Sequence, residues 1–457
     1  MLSTILKAFK VADIRKKLAI TMFILALYRL GAHIPVPGIN VEAVKAVQDS
    51  FSGSSILGFL NLFSGGGLAR IALFALGIMP YITASIILQL LTVVVPSLEK
   101  LQKEGEVGQQ RITQYTRYLT VGLSFGQSIG YVFLFRSFTA SAGTPIIDNF
   151  TAARVFMIVL ALTTGCVLVM WMGELITQRG IGNGMSLMIF ASIVSGLPNG
   201  VQAWATSSDP VFKVMMPFLA LALLHEHDGG DDGQRRIPVQ YAKRVVGRRM
   251  YGGSSTHIPL KVNTGGVIPV IFASSIISFV WMGTNLFEVG TWPRNALDQV
   301  GYGMPLYFLL MIAGIIFFAY FYTAIIFNPD DVAENMRKYG GFIPGIRPGK
   351  RTAEHIDTIL SRITVVGAVY LALIAILPDF LIQGFNVAPI PLVGERLDAI
   401  LPDWFTQGLN VPFYFGGTST LIVVGVAMDT VQQVESQLIM RHYDGFMKKT
   451  RIRGRRG

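Results

Sequence analysis

Several long stretches of this sequence contain no Asp, Glu, Lys or Arg, and these stretches restrict the possible folds more than any other feature. The clearest cover residues 71–95, 155–173, 180–208, 262–286, 300–328 and 404–428. A helix of about 20 apolar residues crosses the hydrocarbon core of a bilayer. Only 14% of the residues are charged, whereas soluble domains carry roughly 25%. Most of the chain is therefore predicted to lie in a membrane.

Weaker apolar stretches complete the predicted set of spans. Three are shorter and cover residues 18–33, 118–135 and 363–378. A fourth, at residues 211–224, is short and contains Lys213. If it also crosses, the chain has ten spans and both termini lie on the same side. We therefore predict an all-α membrane protein with ten transmembrane helices.

The distribution of Lys and Arg predicts the orientation, because cytoplasmic loops of membrane proteins are enriched in these residues. With a cytoplasmic N-terminus, 30 of the 38 Lys and Arg residues fall in cytoplasmic segments and 7 on the opposite side. Both termini are therefore predicted to be cytoplasmic. The net charge of +11 is then a consequence of topology and of basic loops rather than an indication of nucleic-acid binding.

The second and seventh predicted spans share the pattern G-x-x-P-x-I-x-A-S, at residues 77–85 and 266–274. These spans hold the same place in two successive halves of five spans each, and an odd number of spans gives the halves opposite orientations. The pattern therefore predicts an inverted repeat, in which the transport pathway lies at the interface between the halves. We predict two pseudo-symmetric halves of five helices around a central pore.

An inverted repeat fits a secondary transporter of small solutes as well as a pore, so the residues within the spans must discriminate. Coupled transporters usually hold ionisable residues near the middle of the membrane. Here Glu174 and Asp429 occur only where spans approach a predicted cytoplasmic end. An apolar constriction blocks ions by dewetting and can deform around an arbitrary chain. This favours a protein-conducting pore over a transporter, with a non-conducting scaffold as a third alternative.

A family resemblance follows from motifs along nearly the whole chain. They occupy residues 63–70 (F-S-G-G-G-L-A-R), 114–118, 174–183 (E-L-I-T-Q-R-G-I-G-N), 234–244 (Q-R-R-I-P-V-Q-Y-A-K-R), 255–263, 345–349 (G-I-R-P-G) and 411–419. Together with the repeat, these motifs resemble those of the SecY family of bacterial protein-translocating channels. The resemblance implies a channel that passes unfolded secretory proteins across the plasma membrane and releases signal or transmembrane segments laterally into it.

The resemblance also implies which residues form the gate. A ring of apolar side chains at the waist of the pore would consist of Ile78, Ile82, Ile189, Ile271 and Ile422. A plug would close the external funnel and would comprise Ser64, Gly65, Gly66, Gly67, Leu68, Ala69, Arg70, Ile71 and Phe74, with a short helix over residues 68–74. A lateral gate between spans 2 and 3 and spans 7 and 8 would include Thr83 and Gln127. Alternatively, each isoleucine could serve only in core packing, the glycine-rich segment could be an ordinary external loop, and Thr83 and Gln127 could be satisfied within their own helix bundle.

The predicted cytoplasmic loops carry cations that the resemblance assigns to partner binding. They are Arg235, Arg236, Lys243, Arg244, Arg248, Arg249, Arg347, Lys350 and Arg351. Arg side chains pair with RNA phosphates and with carboxylates, so one surface could bind the ribosome or the SecA ATPase. The resemblance further implies SecE and SecG as membrane partners, and signal peptides and unfolded preproteins as cargo. The basic tail at residues 441–457 could bind the same partners or anionic lipid.

The chain is predicted to comprise an N-terminal half at residues 1–180, span 5 with a hinge at 181–208, a C-terminal half at 209–440, and the tail. No phosphate-binding loop motif is evident, so the energy for transport is expected to come from a partner. We expect a channel mechanism with no catalysis, no metal and no cofactor. One segment departs from the family pattern. Residues 225–232 interrupt the sixth span with four carboxylates, which would cost on the order of 10 kcal/mol at the bilayer centre. A metal site formed by His225, Glu226, His227 and Asp228 is a minor alternative there.

Overall fold

The computed structural model describes residues 11–46, 55–137, 145–147, 149–206, 213, 217, 234–241, 244–246, 249–251, 255–262, 265–287, 290–301, 303–386, 400–406, 408 and 417–449. The first half contains helices α1 (Ala12–Gly31), α2 (Ser55–Phe63), α3 (Met79–Val94), α4 (Pro96–Lys103), α5 (Glu106–Ser137), α6 (Ala152–Arg179), α7 (Gly184–Val194) and α8 (Leu197–Thr206). The second half contains α9 (Ile268–Met282), α10 (Trp292–Asp298), α11 (Pro305–Ile326), α12 (Pro329–Lys338), α13 (Lys350–Gln383), α14 (Asp403–Thr406) and α15 (Gly417–Lys449).

The described residues form five short strands that the sequence analysis did not predict. Four lie between the first and second sets of helices, and the fifth lies within the second set. They are β1 (Gln234–Tyr241), β2 (Arg244–Val246), β3 (Arg249–Tyr251), β4 (Ser255–Lys261) and β5 (Gly341–Phe342). Strands β4, β1 and β5 form one antiparallel sheet in that order, and β2 pairs with β3.

Four helical segments in the described part of the chain are long and apolar enough to cross a membrane. They are Glu106–Arg136, Ala152–Arg179, Pro305–Lys338 and Lys350–Leu377. The pair formed by α3 and α4 adds a fifth if it is taken as one bent span. The predicted total of ten stays a prediction, because only residues 213 and 217 of the predicted sixth span are described.

The bend between α3 and α4 follows from local sequence. Pro96 lacks a backbone N–H and disfavours helical geometry at the residue before it. Val95 is accordingly extended, with φ −99° and ψ 110°, and the two helices meet at 99°. The chain thus turns sharply where the apolar span ends and the charged helix α4 begins.

The two copies of the repeated pattern have the same backbone geometry. Gly77 has φ +57° and Gly266 has φ +56°, a region that glycine enters without strain. In each copy the proline lies in the first turn of the helix that follows, α3 or α9. The amides of Ile82 and Ile271 both donate to a carbonyl four residues earlier, at 3.2 Å. Ile82 and Ile271 therefore hold equivalent positions in the two halves.

The largest apolar core contains side chains from α1, α3, α6, α7, α9, α11, α13 and α15, and so joins the two halves. Outer helix faces are also apolar. Leu309 and Phe317 on α11 and Trp171 on α6 are more than half exposed. Extended exposed apolar surface is unfavourable in water and indicates contact with lipid. The fold is that of a multi-pass membrane protein with a shared core.

Candidate functional site

The predicted ring residues meet in the core between the halves. Ile78 and Ile82 lie at the start of α3, Ile189 on α7, Ile271 on α9 and Ile422 on α15. All are buried, and all belong to the same core. The structure therefore brings together five side chains from four helices. Their role as an ion barrier stays a prediction.

A cavity of about 400 Å³ lies against this ring. Ile82, Ile189 and Ile271 line it together with other apolar residues. The remaining lining is mainly uncharged and polar, and includes Tyr81, Ser85, Gln89, Thr113, Thr177, Gln178, Asn183, Ser186 and Tyr322. Tyr81 and Ser85 lie in the first half of α3. Most of the other polar residues lie toward the ends of α6 and α11 or toward the starts of α5 and α7, which is the side predicted to be cytoplasmic. The cavity thus has the form of a polar vestibule that ends on an apolar constriction.

One ion pair lines the vestibule. The Arg117 Nε and Nη2 atoms donate to the two Glu174 carboxylate oxygens, each at 2.8 Å. This two-pronged geometry is the strongest arrangement for a guanidinium and a carboxylate. The sequence analysis placed both residues in family motifs, at residues 114–118 and 174–183, and noted that Glu174 lies near a predicted cytoplasmic end. It assigned no role to Arg117 and did not pair the two residues. Because the two residues are 57 positions apart, no local pattern could have paired them.

The glycine-rich segment differs from the prediction in one respect. No helix forms over residues 68–74, which make successive turns, and the short helix of this region, α2, precedes the glycines instead. Two features explain the difference. Ile71 has φ +46°, which a right-handed helix does not accommodate. In addition, the Leu73 amide donates to the Ile34 carbonyl at 2.8 Å, and the Val36 amide donates to the Ile71 carbonyl at 3.0 Å.

Asn61, at the end of α2, holds the glycine-rich segment in place. Its carbonyl accepts the Gly66 amide at 2.8 Å, and its side-chain oxygen accepts the Ala69 amide at 2.9 Å. The Ser64 hydroxyl accepts the Leu68 amide at 2.9 Å. Leu68, Ile71 and Phe74 are buried. The segment is therefore an ordered, packed element.

The segment also contacts the helices that carry and support the ring. The Ser192 hydroxyl on α7 donates to the Met188 carbonyl at 2.8 Å, so it accepts from the Tyr28 hydroxyl on α1 at 2.6 Å. A β-carbon built on Gly65 would lie 3.5 Å from both the Ser192 Cα and the Tyr28 oxygen. Arg29 donates a hydrogen bond to the Gly65 carbonyl. The glycine therefore permits a close approach to α7, one turn from Ile189.

The predicted lateral gate contains a direct contact between the two halves. Helix α3 packs against α9, and α5 packs against the 3₁₀ turn Gly283–Leu286 that follows α9. Thr83 and Gln127 are buried, but the Thr83 hydroxyl donates to the Met79 carbonyl of its own helix at 3.0 Å. Ser275 on α9 lies 4.0 Å from the Met79 sulfur. Sequence analysis missed this pair.

Two predicted partner-binding loops belong to one folded platform. Gln240 and Tyr241 of β1 pair with Phe342 and Gly341 of β5, which joins the loop before α9 to the loop before α13. A small apolar core lies beneath the sheet, formed by Ile237, Val239, Leu260, Met336, Ile343, Ile356 and Leu360. Alternating burial along β1 matches the period of two that a strand facing a core requires. That alternation was present in the sequence.

The structure places five of the predicted partner-binding cations on the surface of this platform. Arg235 and Arg236 are exposed on β1, and Arg347, Lys350 and Arg351 are exposed at the start of α13 or in the turn before it. The Arg347 carbonyl accepts the Thr352 hydroxyl at 3.0 Å, which fixes the turn. Arg244 and Arg249 belong to β2 and β3, where only the backbone is described. Lys243 and Arg248 lie outside the described residues.

The residues that interrupt the sixth span, 225–232, also lie outside the described residues, and they include His225, Glu226, His227 and Asp228. Within the described part of the chain, no group of three or more His, Cys, Asp or Glu residues could hold a metal ion. Sequence analysis also missed Asp379, a buried carboxylate on α13 whose Oδ2 atom lies 3.4 Å from the Tyr307 hydroxyl.

Comparisons with known proteins agree with this architecture. A sequence profile of the SecY family matches residues 72–431. The protein translocase subunit SecY of Streptomyces galbus is 45% identical over 469 residues, covering 98% of this chain and 100% of the relative. The subunits of the same name from Streptomyces coelicolor and Mycobacterium bovis are 46% and 45% identical and again cover 98% of this chain and 100% of each relative.

Solved structures with the same fold are more distant in sequence. A protein conducting channel matches with a TM-score of 0.63 and 16% identity over 94% of both chains. Sec61 in the canine ribosome-channel complex matches with a TM-score of 0.59 and 15% identity, also over 94% of both chains. These likenesses confirm the predicted fold class. With the curated relatives, they show that this chain belongs to the SecY family of protein translocase subunits.

Proposed function

We propose that this chain is the channel subunit through which unfolded secretory proteins cross the plasma membrane, and which releases apolar segments laterally into lipid. The observation that carries the proposal is the vestibule that ends on Ile82, Ile189 and Ile271. A polar vestibule admits an unfolded chain without binding it tightly, and an apolar constriction excludes ions by dewetting. The glycine-rich segment would close the opposite side, and the contact between α3 and α9 would open for signal peptides. The chain itself would perform no catalysis.

The basic platform is the proposed binding surface for the motor. Because the sheet joins both loops, Arg235, Arg236 and Arg347 would move as one rigid surface toward an acidic or phosphate-bearing partner. SecA and the ribosome are the proposed partners, and SecE and SecG the proposed membrane partners. Known structures in the same fold include a channel bound to the canine ribosome and the yeast Ssh1 complex bound to the 80S ribosome. The basic tail would contact anionic lipid.

Reconstitution tests this proposal. Vesicles that contain the chain with SecE should take up a secretory precursor when SecA and ATP are supplied, and vesicles without the chain should not. Arg347→Glu should lower the rate of uptake by about tenfold or more, because charge reversal at a fixed, exposed turn opposes binding of an acidic surface. The matched control is Lys45→Glu, which reverses an exposed charge on the side of the membrane predicted to be external. Normal uptake by the Arg347 variant would remove this residue from the motor surface.

The proposed location is the bacterial plasma membrane with both termini in the cytoplasm. The asymmetry of Lys and Arg supports this orientation. A topology reporter fused at Gly252, which follows β3 in the sequence, should be located in the cytoplasm. An external reporter would mean that the interrupted sixth span does not cross and that the orientation of the second half is inverted.

A further inference from the structure

The residues that line the vestibule carry no net charge. Arg117 and Glu174 are the only charged residues among the described side chains that line it. They neutralise each other through two hydrogen bonds of 2.8 Å. Asp429 on α15 acts electrostatically on Tyr322 of the lining but does not line the cavity itself. A chain inside the vestibule therefore meets no net charge from the described lining.

Burial makes this balance important. The Glu174 side chain is only 12% exposed, whereas the Arg117 side chain is 43% exposed. Charges interact more strongly in such a partly desolvated site than in bulk water. Loss of one partner would leave an uncompensated charge beside the Ile82 constriction, where every segment of cargo must pass. The remaining charge would attract cargo segments of one sign and repel those of the other.

We infer that Arg117 and Glu174 each cancel the charge that the other would place on the pathway, so that the intact channel passes basic and acidic segments at similar rates. This inference rests on the proposed channel function and adds a determinant of specificity to it. The pair acts on charged side chains of an unfolded polypeptide. Its role is distinct from that of the isoleucine ring, which acts on ions and water.

The test uses three precursors that differ only in one internal block of Lys, Glu or Gln residues. The unmodified chain, reconstituted with SecE and SecA, should take up all three at similar initial rates. Glu174→Gln should slow the Lys precursor relative to the Gln precursor by on the order of three- to tenfold, and Arg117→Gln should slow the Glu precursor. Glu174→Gln gives the clearer test, because the guanidinium of Arg117 that remains is charged at every working pH.

The double variant Arg117→Gln with Glu174→Gln separates electrostatics from simple packing. Its vestibule is again neutral, so it should treat the three precursors alike. If each single variant instead slowed all three equally, the pair would serve only to fasten α5 to α6, and the inference would be wrong. Strong discrimination by the unmodified chain would also contradict it. No uptake of any precursor by the unmodified chain would contradict the channel function itself.

A second measurement does not depend on cargo. In planar bilayers, chains made leaky by Ile82→Asn and Ile271→Asn should conduct cations and anions with weak selectivity. Adding Glu174→Gln should shift the reversal potential toward anion selectivity, and adding Arg117→Gln should shift it toward cation selectivity. Identical reversal potentials in the three variants would show that the pair does not set the charge of the pathway.

Discussion

Replacing Ile82 and Ile271 together with Asn should make the closed channel leak ions and should relax its demand for a strongly apolar signal peptide. Both side chains are buried and line the bottom of the vestibule, and they hold equivalent positions in the two halves. Asn would hydrate the constriction, which removes the dewetting barrier. It would also destabilise the closed state relative to the open one. We expect ion conductance in planar bilayers to rise by at least tenfold.

Ile86→Asn provides a matched control. Ile86 is buried on the same helix, one turn beyond Ile82, and does not line the vestibule. This variant should lower the abundance of the folded protein, because it buries an amide in an apolar core, without producing the leak. Equal leak in both variants would attribute the conductance to general loosening of α3 and not to the ring.

A disulfide between residues 65 and 192 should block transport reversibly. A β-carbon on Gly65 would lie 3.5 Å from the Ser192 Cα, so the two backbones approach closely. Bonded cysteines have β-carbons roughly 3.5–4.5 Å apart, and we expect this pair to reach that distance. The bond would hold the glycine-rich segment against α7. Oxidised vesicles carrying Gly65→Cys and Ser192→Cys should therefore lose most of their precursor uptake and recover it after reduction. The native Cys166 is buried and should not interfere.

The single variants Gly65→Cys and Ser192→Cys are the controls for this experiment. Gly65 has φ +66°, so a cysteine there should be strained by roughly 1–2 kcal/mol. Ser192→Cys replaces the hydroxyl that Tyr28 contacts. Neither effect depends on oxidation. If the disulfide formed and uptake stayed normal, the segment would not need to move and could not be the plug.

The repeat could be predicted from the sequence because its signal is local, whereas the ring residues were assigned from the family resemblance. A shared nine-residue pattern marked both helix starts, and the same left-handed glycine occurs in both. The small sheet had a local signal as well, since the buried Ile237 and Val239 alternate with exposed residues. It was missed because the search for apolar spans treated the intervening loops only as charged surface.

Other features depend on contacts between distant residues. Arg117 meets Glu174, and β1 meets β5, only after the helices pack. The helix expected after the glycines fails because the backbone pairs with residues 34–36 and because Ile71 adopts a positive φ. Isoleucine rarely takes that conformation, so its residue type gave no indication of a turn. Tertiary contacts set these details.

The central claim is that a translocating chain passes through the isoleucine ring. The most direct test places single cysteines at positions 82 and 271, and one at Leu309, which is exposed on the outer face of α11. A precursor with one cysteine is then stalled midway and oxidised. We expect disulfides from the precursor to positions 82 and 271 and none to position 309. If neither ring position reacts although the stalled precursor is held in the vesicle membrane, the pathway lies elsewhere.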